Sequence, residues 1–294
     1  MRKIMLGSDW WTDCDDAVAL RLLLRAHKNE EIELCAIALN ACMEKSVASL
    51  DAFLLLEGNL DFPIGIDHTA TEFSGTPTYQ KGLSGHATRR AKNADAEDAC
   101  RLYRKILSES DEPIEIVEIG FLQVIEALLK SGADDISSKT GLELVKEKVK
   151  KFWVMAGKWD EDGGEEHNFA LTNVSRRAGS YFCQFCPVPV TFLGWEIGHS
   201  VITGQTISHD DFLYQVLLDH GSPNGRSSWD PMLVLAAVIG DEKEAGYETI
   251  PGTARVCEET GKNYFLRDES GLHCYLKKKH EDSFYEKAIN TRIE

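Results

Sequence analysis

The feature that most constrains this chain is an acidic run near its N-terminus, placed between two apolar segments. The run extends from Asp9 to Asp16 and holds four aspartates within eight residues. The apolar segment before it, Lys3 to Gly7, has the length of a strand, and the segment after it, Ala17 to Leu24, is typical of a buried helix. The pattern therefore predicts a strand, an acidic loop and a helix in direct succession.

The acidic run indicates a cation-binding site. Neighbouring carboxylates repel one another, and a hard divalent cation with oxygen ligands, Ca²⁺ or Mg²⁺, would relieve that repulsion. The alternative is a solvated loop in which Asp15 or Asp16 only caps the following helix. We favour ligand binding, because flanking tryptophans and an apolar strand are unusual around a wholly solvated loop.

Strand-like and helical segments alternate along the rest of the chain. Further strands are predicted at Ile32 to Leu39, Pro63 to Ile66, Ile114 to Ile119, Phe152 to Ala156, Pro189 to Leu193, Tyr247 to Val256 and, as short strands, within Tyr264 to Leu276. Further helices are predicted at Lys45 to Leu56, Gln123 to Lys130, Asn173 to Tyr181, Asp210 to Leu218, Met232 to Ile239 and Glu281 to Ile289. This alternation predicts an α/β fold, with a mainly parallel central sheet and helices on both faces. Without a linker or an internal repeat, we expect a single domain over residues 1–294.

The composition of the chain limits which partners it can bind and indicates its cellular compartment. The net charge of −16 argues against nucleic acid and against anionic membrane surfaces. No stretch approaches about 18 uninterrupted apolar residues, the length of a membrane-spanning helix. The N-terminal segment is too short in apolar residues for a secretory signal, so we expect a cytoplasmic protein. The eight cysteines are expected to be reduced, and the pair Cys183 and Cys186 to serve packing rather than zinc binding.

Polar residues also follow other predicted strands, where open α/β sheets bind ligands. Asn40 follows the second strand, although an Asn there is more often a turn residue. Glu165 to Asn168 follows a later strand and suits hydroxyl recognition or, equally, a surface loop. Asp230, before an apolar helix, could be only an N-cap followed by Pro. The irregular segment Ser74 to Lys92 is the best candidate for a mobile loop near the site.

Taken in order, these pieces resemble the inosine-uridine preferring nucleoside hydrolase family. The family's opening motif is D-T-D-P-G-x-D-D, and the run from Asp9 to Asp16 has its length and keeps its first, seventh and eighth aspartates. The other matching pieces are Asn40 after the second strand, Ile116 to Gln123 for A-x-G-P-L-T, Glu166-His-Asn168 for E-F-N, Thr191 to His199 for the following strand and its G-L-D-x-T-H end, and Trp229-Asp230-Pro231 for H-D-P. Each piece alone is weak, but the ordered set covers nearly the whole chain.

The resemblance implies a function and a set of site residues. Family members hydrolyse the N-glycosidic bond of a nucleoside with a metal-activated water, from which an aspartate takes the proton. The implied calcium ligands are the side chains of Asp16 and Asp230 and the main-chain carbonyl of Gln123. The implied ribose-binding residues are Asp15, Asn40, Glu166 and Asn168. The family also suggests Ca²⁺ over Mg²⁺, a nucleoside or related riboside as ligand, and a homodimer or homotetramer.

Two positions depart from the family pattern. The third motif position, where the family has the Asp that is both general base and calcium ligand, is Trp11. An indole offers only an N–H donor and can do neither task. Trp229 replaces the His linked to protonation of the leaving group, and it could stack on a base without delivering a proton.

The lost groups have candidate substitutes elsewhere in the sequence. Asp13 or Asp9 could act as the base, and Asp13 could also be a metal ligand. His86 or Tyr79 could assist the leaving group, or no side chain does so. The alternative function is a non-catalytic, metal-dependent ribose- or nucleoside-binding protein of the same fold. A calcium-stabilised scaffold is a third hypothesis, without a specific feature in its favour.

Overall fold

A ten-stranded sheet forms the centre of the fold. The computed structural model describes residues 1–73 and 75–294. Its strands are β1 Arg2–Ser8, β2 Ile32–Leu39, β3 Ile64–Ile66, β4 Glu97–Asp98, β5 Ile114–Glu118, β6 Val149–Met155, β7 Val190–Leu193, β8 Ile202–Thr203, β9 Arg226–Ser227, β10 Tyr247–Val256, β11 Asn263–Arg267 and β12 His273–Lys278. Strands β8 and β9 pair only with each other, and the other ten form the central sheet in the order β11-β10-β12-β7-β6-β5-β1-β2-β3-β4.

The sheet is mostly parallel and changes its winding direction at β1. All strands from β4 across to β12 run parallel, and β10 is antiparallel to both of its neighbours, β11 and β12. The chain starts at β1, proceeds outward to β4, and then returns to β5 on the other side of β1. Such a switch point opens a crevice at the carboxyl ends of the strands, here those of β1 and β5.

Helices fill most of the connections between strands. They are α1 Asp15–Lys28, α2 Ser46–Leu56, α3 Thr78–Leu83, α4 Ala99–Glu109, α5 Gln123–Lys130, α6 Gly141–Lys148, α7 His167–Ala170, α8 Asn173–Phe185, α9 Trp195–Gly198, α10 Phe212–His220, α11 Trp229–Ile239 and α12 Asp282–Ile293, with a short 3-10 helix at Asn93–Asp95. In the described part of the chain, none of these helices has both the length and the apolar character that crossing a bilayer needs.

Helices cover both faces of the sheet, because successive side chains of the buried strands point to opposite sides. On β1, Leu6 belongs to a core with residues of α1, α2, α11 and α12, whereas Met5 belongs to a second core with residues of α4, α5, α6 and α8. On β6, Trp153 and Phe152 divide between the two cores in the same way. The predicted α/β class, with a mainly parallel sheet and helices on both faces, is confirmed.

Two packed helices deliver acidic side chains to the crevice. Helix α1 begins at the acidic run, and α11 begins two residues after β9; the two helices pack against each other. Most residues of both helices are buried, and α11 is apolar on nearly every side, as expected of a helix enclosed between the sheet and other helices. Pro231 lies in the first turn of α11, where its missing N–H breaks no helical hydrogen bond.

Several local expectations differ from the structure. The segment Ser74 to Lys92 was expected to be an irregular loop, but it contains helix α3; Ser74 itself lies outside the described residues. Helices α4 and α6 and the two-residue strand β4 were not predicted. The N-cap of α11 is Ser228, so Asp230 lies in the first turn instead of capping the helix. One sheet includes strands from Arg2 to Lys278, and the single domain over residues 1–294 remains a prediction.

Candidate active site

A cavity of about 320 Å³ lies at the carboxyl ends of β1, β6 and β7. Its position at this edge of the sheet is the one that the winding of the chain favours for a ligand. The residues that line it are Asp9, Thr12, Asp13, Asp15, Asp16, Ile119, Met155, Glu166, His167, Asn168, Trp195, His220, Arg226, Trp229 and Asp230. Most of the predicted site residues are therefore brought together in one place.

Three buried carboxylates form the floor of the acidic part of this cavity. Oxygens of Asp15, Asp16 and Asp230 all lie within 4.8 Å of one another. The Ser8 hydroxyl donates a hydrogen bond to Asp16, and the Asp230 amide donates one to Asp15 over 3.1 Å. Each carboxylate lies in the first turn of its helix, α1 or α11, where the helix dipole favours negative charge. We call Asp15, Asp16 and Asp230 the aspartate trio.

The aspartate trio fits a hard divalent cation. Burial, followed by repulsion from neighbouring aspartates, raises the pKa of Asp15 and of Asp230 well above the ordinary value. Burial likewise raises the pKa of Asp16 to about 7, against a hydrogen bond from Ser8 that lowers it. A bound cation would favour the charged form of all three groups. An all-oxygen donor set of this kind suits Ca²⁺ or Mg²⁺ rather than a softer metal.

Asp9 lies beside the trio, directly after the end of β1. Its side chain is buried, it lines the cavity, and its Oδ1 accepts a hydrogen bond from the Trp11 amide over 3.0 Å. Burial and then repulsion from Asp16 raise the pKa of Asp9 well above its ordinary value. A carboxylate whose pKa is raised is a stronger base than an exposed carboxylate.

Asp13 occupies a different environment, although it belongs to the same loop. Its carboxylate accepts hydrogen bonds from Arg226, with the Nε atom 2.9 Å from Oδ1 and a terminal nitrogen 2.6 Å from Oδ2. His220 lies 3.8 Å from Asp13 and contacts the Thr12 carbonyl at 3.1 Å. Asp13 lines the cavity but lies outside the aspartate trio, and its charge is paired with that of the guanidinium.

Glu166, the N-cap of α7, and Asn168, in the first turn of that helix, line the same cavity as the trio. Glu166 accepts hydrogen bonds from the amides of Gly157 and Asn168, both over 2.8 Å. The Asn168 side-chain amide donates to the Met155 carbonyl over 2.8 Å. Burial raises the pKa of Glu166 to about 7, although these backbone donors lower it. The two side chains are thus held in fixed positions on the cavity wall, where they could bind sugar hydroxyls.

Asn40 and Gln123 are not brought to this cavity. The Asn40 side chain is buried, donating to Glu118 over 2.7 Å and accepting from the Phe121 amide over 2.9 Å. Gln123 begins α5, donates to the Asn40 carbonyl, and lines a separate cavity of about 590 Å³. Neither residue is among those that line the cavity, and the ribose-binding role of Asn40 and the metal-ligand role of the Gln123 carbonyl stay predictions.

Trp11 and Trp229, the two residues that depart from the family pattern, have different environments. Trp11 turns into an aromatic cluster, with ring centroids 4.8 Å from Phe73 and 6.1 Å from His167. Trp229 lines the cavity, donates to the Trp195 carbonyl over 2.8 Å, and has the Arg226 guanidinium 5.3 Å from its ring. Trp229 therefore presents an aromatic surface at the cavity, as its predicted stacking role requires.

The two hypothetical leaving-group donors do not line the cavity. Tyr79 is fully buried in α3, and its hydroxyl donates to the Trp11 carbonyl over 2.9 Å. His86 lies on the surface. Sequence reasoning placed both in a loop near the site because the helical turn of α3 was not recognised in it.

Several residues of the site were missed by sequence reasoning. Arg226, His220 and Trp195 line the cavity, although no role in the site was predicted for them. Trp195 lies within the matched piece Thr191 to His199, and Arg226 lies three residues before Trp229. Glu118 is fully buried at the end of β5, next to Asn40. A signal was present in the sequence, since the predicted strand Ile114 to Ile119 carries two glutamates, Glu115 and Glu118, and a charged residue is rarely fully buried unless it is paired.

The fold is that of nucleoside hydrolases. No protein-family model matches the sequence, and no curated protein sequence matches it either. The structure is similar to an inosine-uridine preferring nucleoside hydrolase from Bacillus anthracis, with a TM-score of 0.73 and 14% identity over 100% of this chain and 99% of that one. It is also similar to a purine-preferring ribonucleoside hydrolase from Gardnerella vaginalis, with a TM-score of 0.74 and 19% identity over 99% and 98% of the two chains.

A third similar structure is the type III effector protein XopQ complexed with adenosine diphosphate ribose. Its TM-score is 0.71 and its identity 13%, over 99% of this chain and 93% of that chain. The resemblance drawn from the ordered motifs is thus confirmed at the level of the fold.

Proposed function

We propose that this protein hydrolyses the N-glycosidic bond of a nucleoside or a related riboside. The observation that carries the proposal is the buried aspartate trio beside Asp9, in a cavity at the switch point of a nucleoside-hydrolase fold. Holding four carboxylates together in a buried site is costly unless a cation or a ligand compensates them. Such an arrangement is more typical of a working site than of a structural core.

The metal and its ligands follow from the trio. We propose that Asp16 and Asp230 hold Ca²⁺, with Mg²⁺ as the weaker candidate, and that Asp15 completes the acidic wall toward the sugar. The bound cation would supply the Lewis acidity that makes a water easier to deprotonate. The backbone N–H of Asp230 donates to the Asp15 carboxylate, and this hydrogen bond fixes the start of α11 against the start of α1.

Asp9 is the proposed general base. It is buried beside Asp16 and has no cationic partner among the described residues, so its carboxylate remains available to accept a proton. Asp13 is the less suitable candidate, because both of its oxygens accept hydrogen bonds from Arg226. A guanidinium partner lowers the basicity of a carboxylate and ties it to one position.

The other wall residues would bind the sugar and the leaving group. Glu166, Asn168 and Asp15 are fixed by hydrogen bonds to the backbone. Each carboxylate or amide oxygen has two lone pairs, so these side chains can still accept hydrogen bonds from ribose hydroxyls. Negative charge close to the ring would stabilise the oxocarbenium-like transition state. The Trp229 ring could stack on a flat leaving group. Its indole is not an acid, so it would not protonate that group.

The direct test measures free ribose or free base after incubation of the purified protein with Ca²⁺ and a panel of ribosides. The panel contains inosine, uridine, adenosine and adenosine diphosphate ribose, the last because one structural neighbour was solved with it. We expect release from at least one compound and its loss in Asp16→Asn. Failure of every compound to react with a protein shown to bind Ca²⁺ would argue against hydrolysis.

A second candidate is a metal-dependent ribose-binding protein without catalysis. Trp229, which cannot protonate a leaving group, is the observation that favours it. In that case the ribosides would raise the melting temperature without any product, by mass action. Detection of product would exclude it.

We further propose a cytoplasmic homodimer or homotetramer that acts on a small molecule, with neither nucleic acid nor membrane as partner. The net charge of −16 supports the exclusion of both, because an acidic protein is repelled by nucleic acid and by an anionic membrane surface. Analytical ultracentrifugation of the purified protein would measure the number of subunits.

A further inference from the structure

Glu118 is a buried carboxyl group that the proposed mechanism does not use. It ends β5 in the middle of the sheet, its side chain is fully buried, and its register partner on β1 is Gly7. The carboxylate lies across Gly7, so closely that a Cβ atom at Gly7 would overlap it. Among the described residues, Glu118 Oε2 has no hydrogen-bond partner. Glycine at position 7 is therefore what makes room for this carboxylate.

The other oxygen of Glu118 joins the ends of two strands. Oε1 accepts hydrogen bonds from the Asn40 side chain over 2.7 Å and from the Gly120 amide over 3.2 Å. Asn40 Oδ1 in turn accepts from the Phe121 amide over 2.9 Å. The carboxyl ends of β2 and β5 are thus connected by two side chains that are both shielded from water.

The backbone of Asp9 lies between these two strand ends. The backbone N–H of Asn40 donates to the Ser8 carbonyl, and the backbone N–H of Ile119 donates to the Gly7 carbonyl, both over 2.9 Å. Gly120 approaches the Asp9 amide so closely that any side chain at position 120 would overlap it. A shift of Gly120 would therefore move the backbone from which the Asp9 carboxylate projects.

We infer that Glu118, together with Asn40, is a positioning residue that holds the Asp9 carboxylate in place for proton transfer. The inference rests on the proposed function, because it assigns Asp9 the role of base. Glu118 is not among the residues that line the cavity, and it would act through Asn40 and Gly120. A displacement of about 1 Å at a reacting group can reduce turnover by about two orders of magnitude.

Two substitutions separate positioning from charge. Glu118→Gln keeps an oxygen that can accept from Asn40 and Gly120, whereas Glu118→Ala removes it. With the riboside that the wild type hydrolyses, we expect Glu118→Ala to reduce kcat about tenfold to a hundredfold. KM and the Kd for Ca²⁺ should change less than about threefold, a difference of under about 1 kcal/mol. Glu118→Gln should keep kcat within about threefold of the wild-type value, which again corresponds to under about 1 kcal/mol.

Two outcomes of this kinetic test would overturn the inference. One is a wild-type kcat in Glu118→Ala. The other is an equal loss of kcat in the Gln and Ala variants, which would assign the effect to the charge of Glu118 instead of its hydrogen bonds.

A measurement independent of activity keeps this inference distinct from the proposed function. Amide hydrogen exchange at Gly120 and Phe121 should be faster in Glu118→Ala and near wild type in Glu118→Gln. If the wild type hydrolyses no riboside, the proposed function fails, and these two amides still report whether Glu118 holds the strand end. Unchanged exchange in Glu118→Ala would overturn the inference whatever the activity.

A double-mutant cycle covers the case in which a variant folds poorly. Gly7→Ala should lower the melting temperature strongly in the wild-type background, because the new methyl group overlaps the Glu118 carboxylate. The same change should cost much less in Glu118→Ala, where that carboxylate is gone. Additive effects of the two substitutions would contradict the packing on which the inference depends.

Discussion

Asp9 and Asp13 stand four residues apart in one loop, yet their surroundings give them different chemistry. Asp9 is buried beside Asp16, and burial raises its pKa. Asp13 is partly exposed and paired with Arg226 through a forked set of hydrogen bonds. Sequence alone left both open as the base, because the partner of Asp13 comes from 213 residues away.

This difference predicts unequal effects of two matched substitutions. Asp9→Asn should reduce kcat by about 10²–10⁴-fold, the usual contribution of a general base. Asp13→Asn should reduce it less than about tenfold, because a partly exposed ion pair contributes about 1 kcal/mol or less. Steady-state kinetics with the reactive riboside would measure both, and circular dichroism would verify the fold. A larger loss in Asp13→Asn than in Asp9→Asn would reverse the assignment.

Glu118 predicts how the stability of the metal-free protein depends on pH. Burial raises its pKa from 4.5 to about 8, so between these values the folded state binds more protons than the unfolded state. The free energy of unfolding should then fall as pH rises through this window. Thermal unfolding in the presence of a chelator should show this slope, and Glu118→Gln should make it shallower. An unchanged slope in Glu118→Gln would mean that other buried acids account for it.

At the scale of elements, helix α3 holds the acidic loop from outside the cavity. The Tyr79 hydroxyl and the Gln80 side chain donate to the carbonyls of Trp11 and Trp10. Trp10 adopts a left-handed backbone conformation, with φ of 49°, that a bulky side chain rarely adopts without support. Its indole donates to Ser49 over 2.9 Å and packs against Tyr79, so the conformation is held from several sides.

This arrangement predicts a stability difference between two buried tyrosines. Tyr79→Phe should lower the free energy of unfolding by about 1–3 kcal/mol, because it leaves the buried Trp11 carbonyl without its donor. Tyr103→Phe is the matched control, since among the described residues the buried Tyr103 hydroxyl has no partner to lose. Denaturant unfolding should show a near-neutral or stabilising effect for the control. Equal losses in both variants would contradict a specific role for the Tyr79 hydrogen bond.

At the scale of the whole molecule, several buried carboxyl groups lie at the carboxyl edge of the sheet. Asp9, Glu118, Glu166 and the aspartate trio are all buried there, in a chain whose net charge is −16. Burial raises the pKa of each of these groups, so their charged forms oppose folding. A cation that binds only to the folded state should therefore raise the free energy of unfolding.

Calcium binding should be visible as global stabilisation. With free Ca²⁺ at about 100 times its Kd, the free energy of unfolding should rise by about 2.7 kcal/mol. Differential scanning calorimetry would measure the shift, with NaCl at equal ionic strength as the control for general screening. Asp230→Asn should remove the response to Ca²⁺. A response that persists in this variant would place the cation elsewhere.

The sequence by itself determined the α/β class, the positions of the inner strands and the acidic loop at the end of β1. These depend on local patterns: continuous apolar runs for buried strands, and aspartates between a strand and a helix. The order of motifs also indicated Asp16, Asp230, Glu166 and Asn168, which line the cavity together.

Only the tertiary structure decided which carboxylates share an environment. Asn40 meets Glu118 from 78 residues away, and Asp13 meets Arg226 from 213. Such contacts depend on how the sheet brings strand ends together, which no local pattern encodes. Asp9 and Asp13 are the same residue type, but Asp9 is buried and Asp13 is paired with Arg226. Burial and partners therefore distinguish them, because these set the relative energy of the charged form.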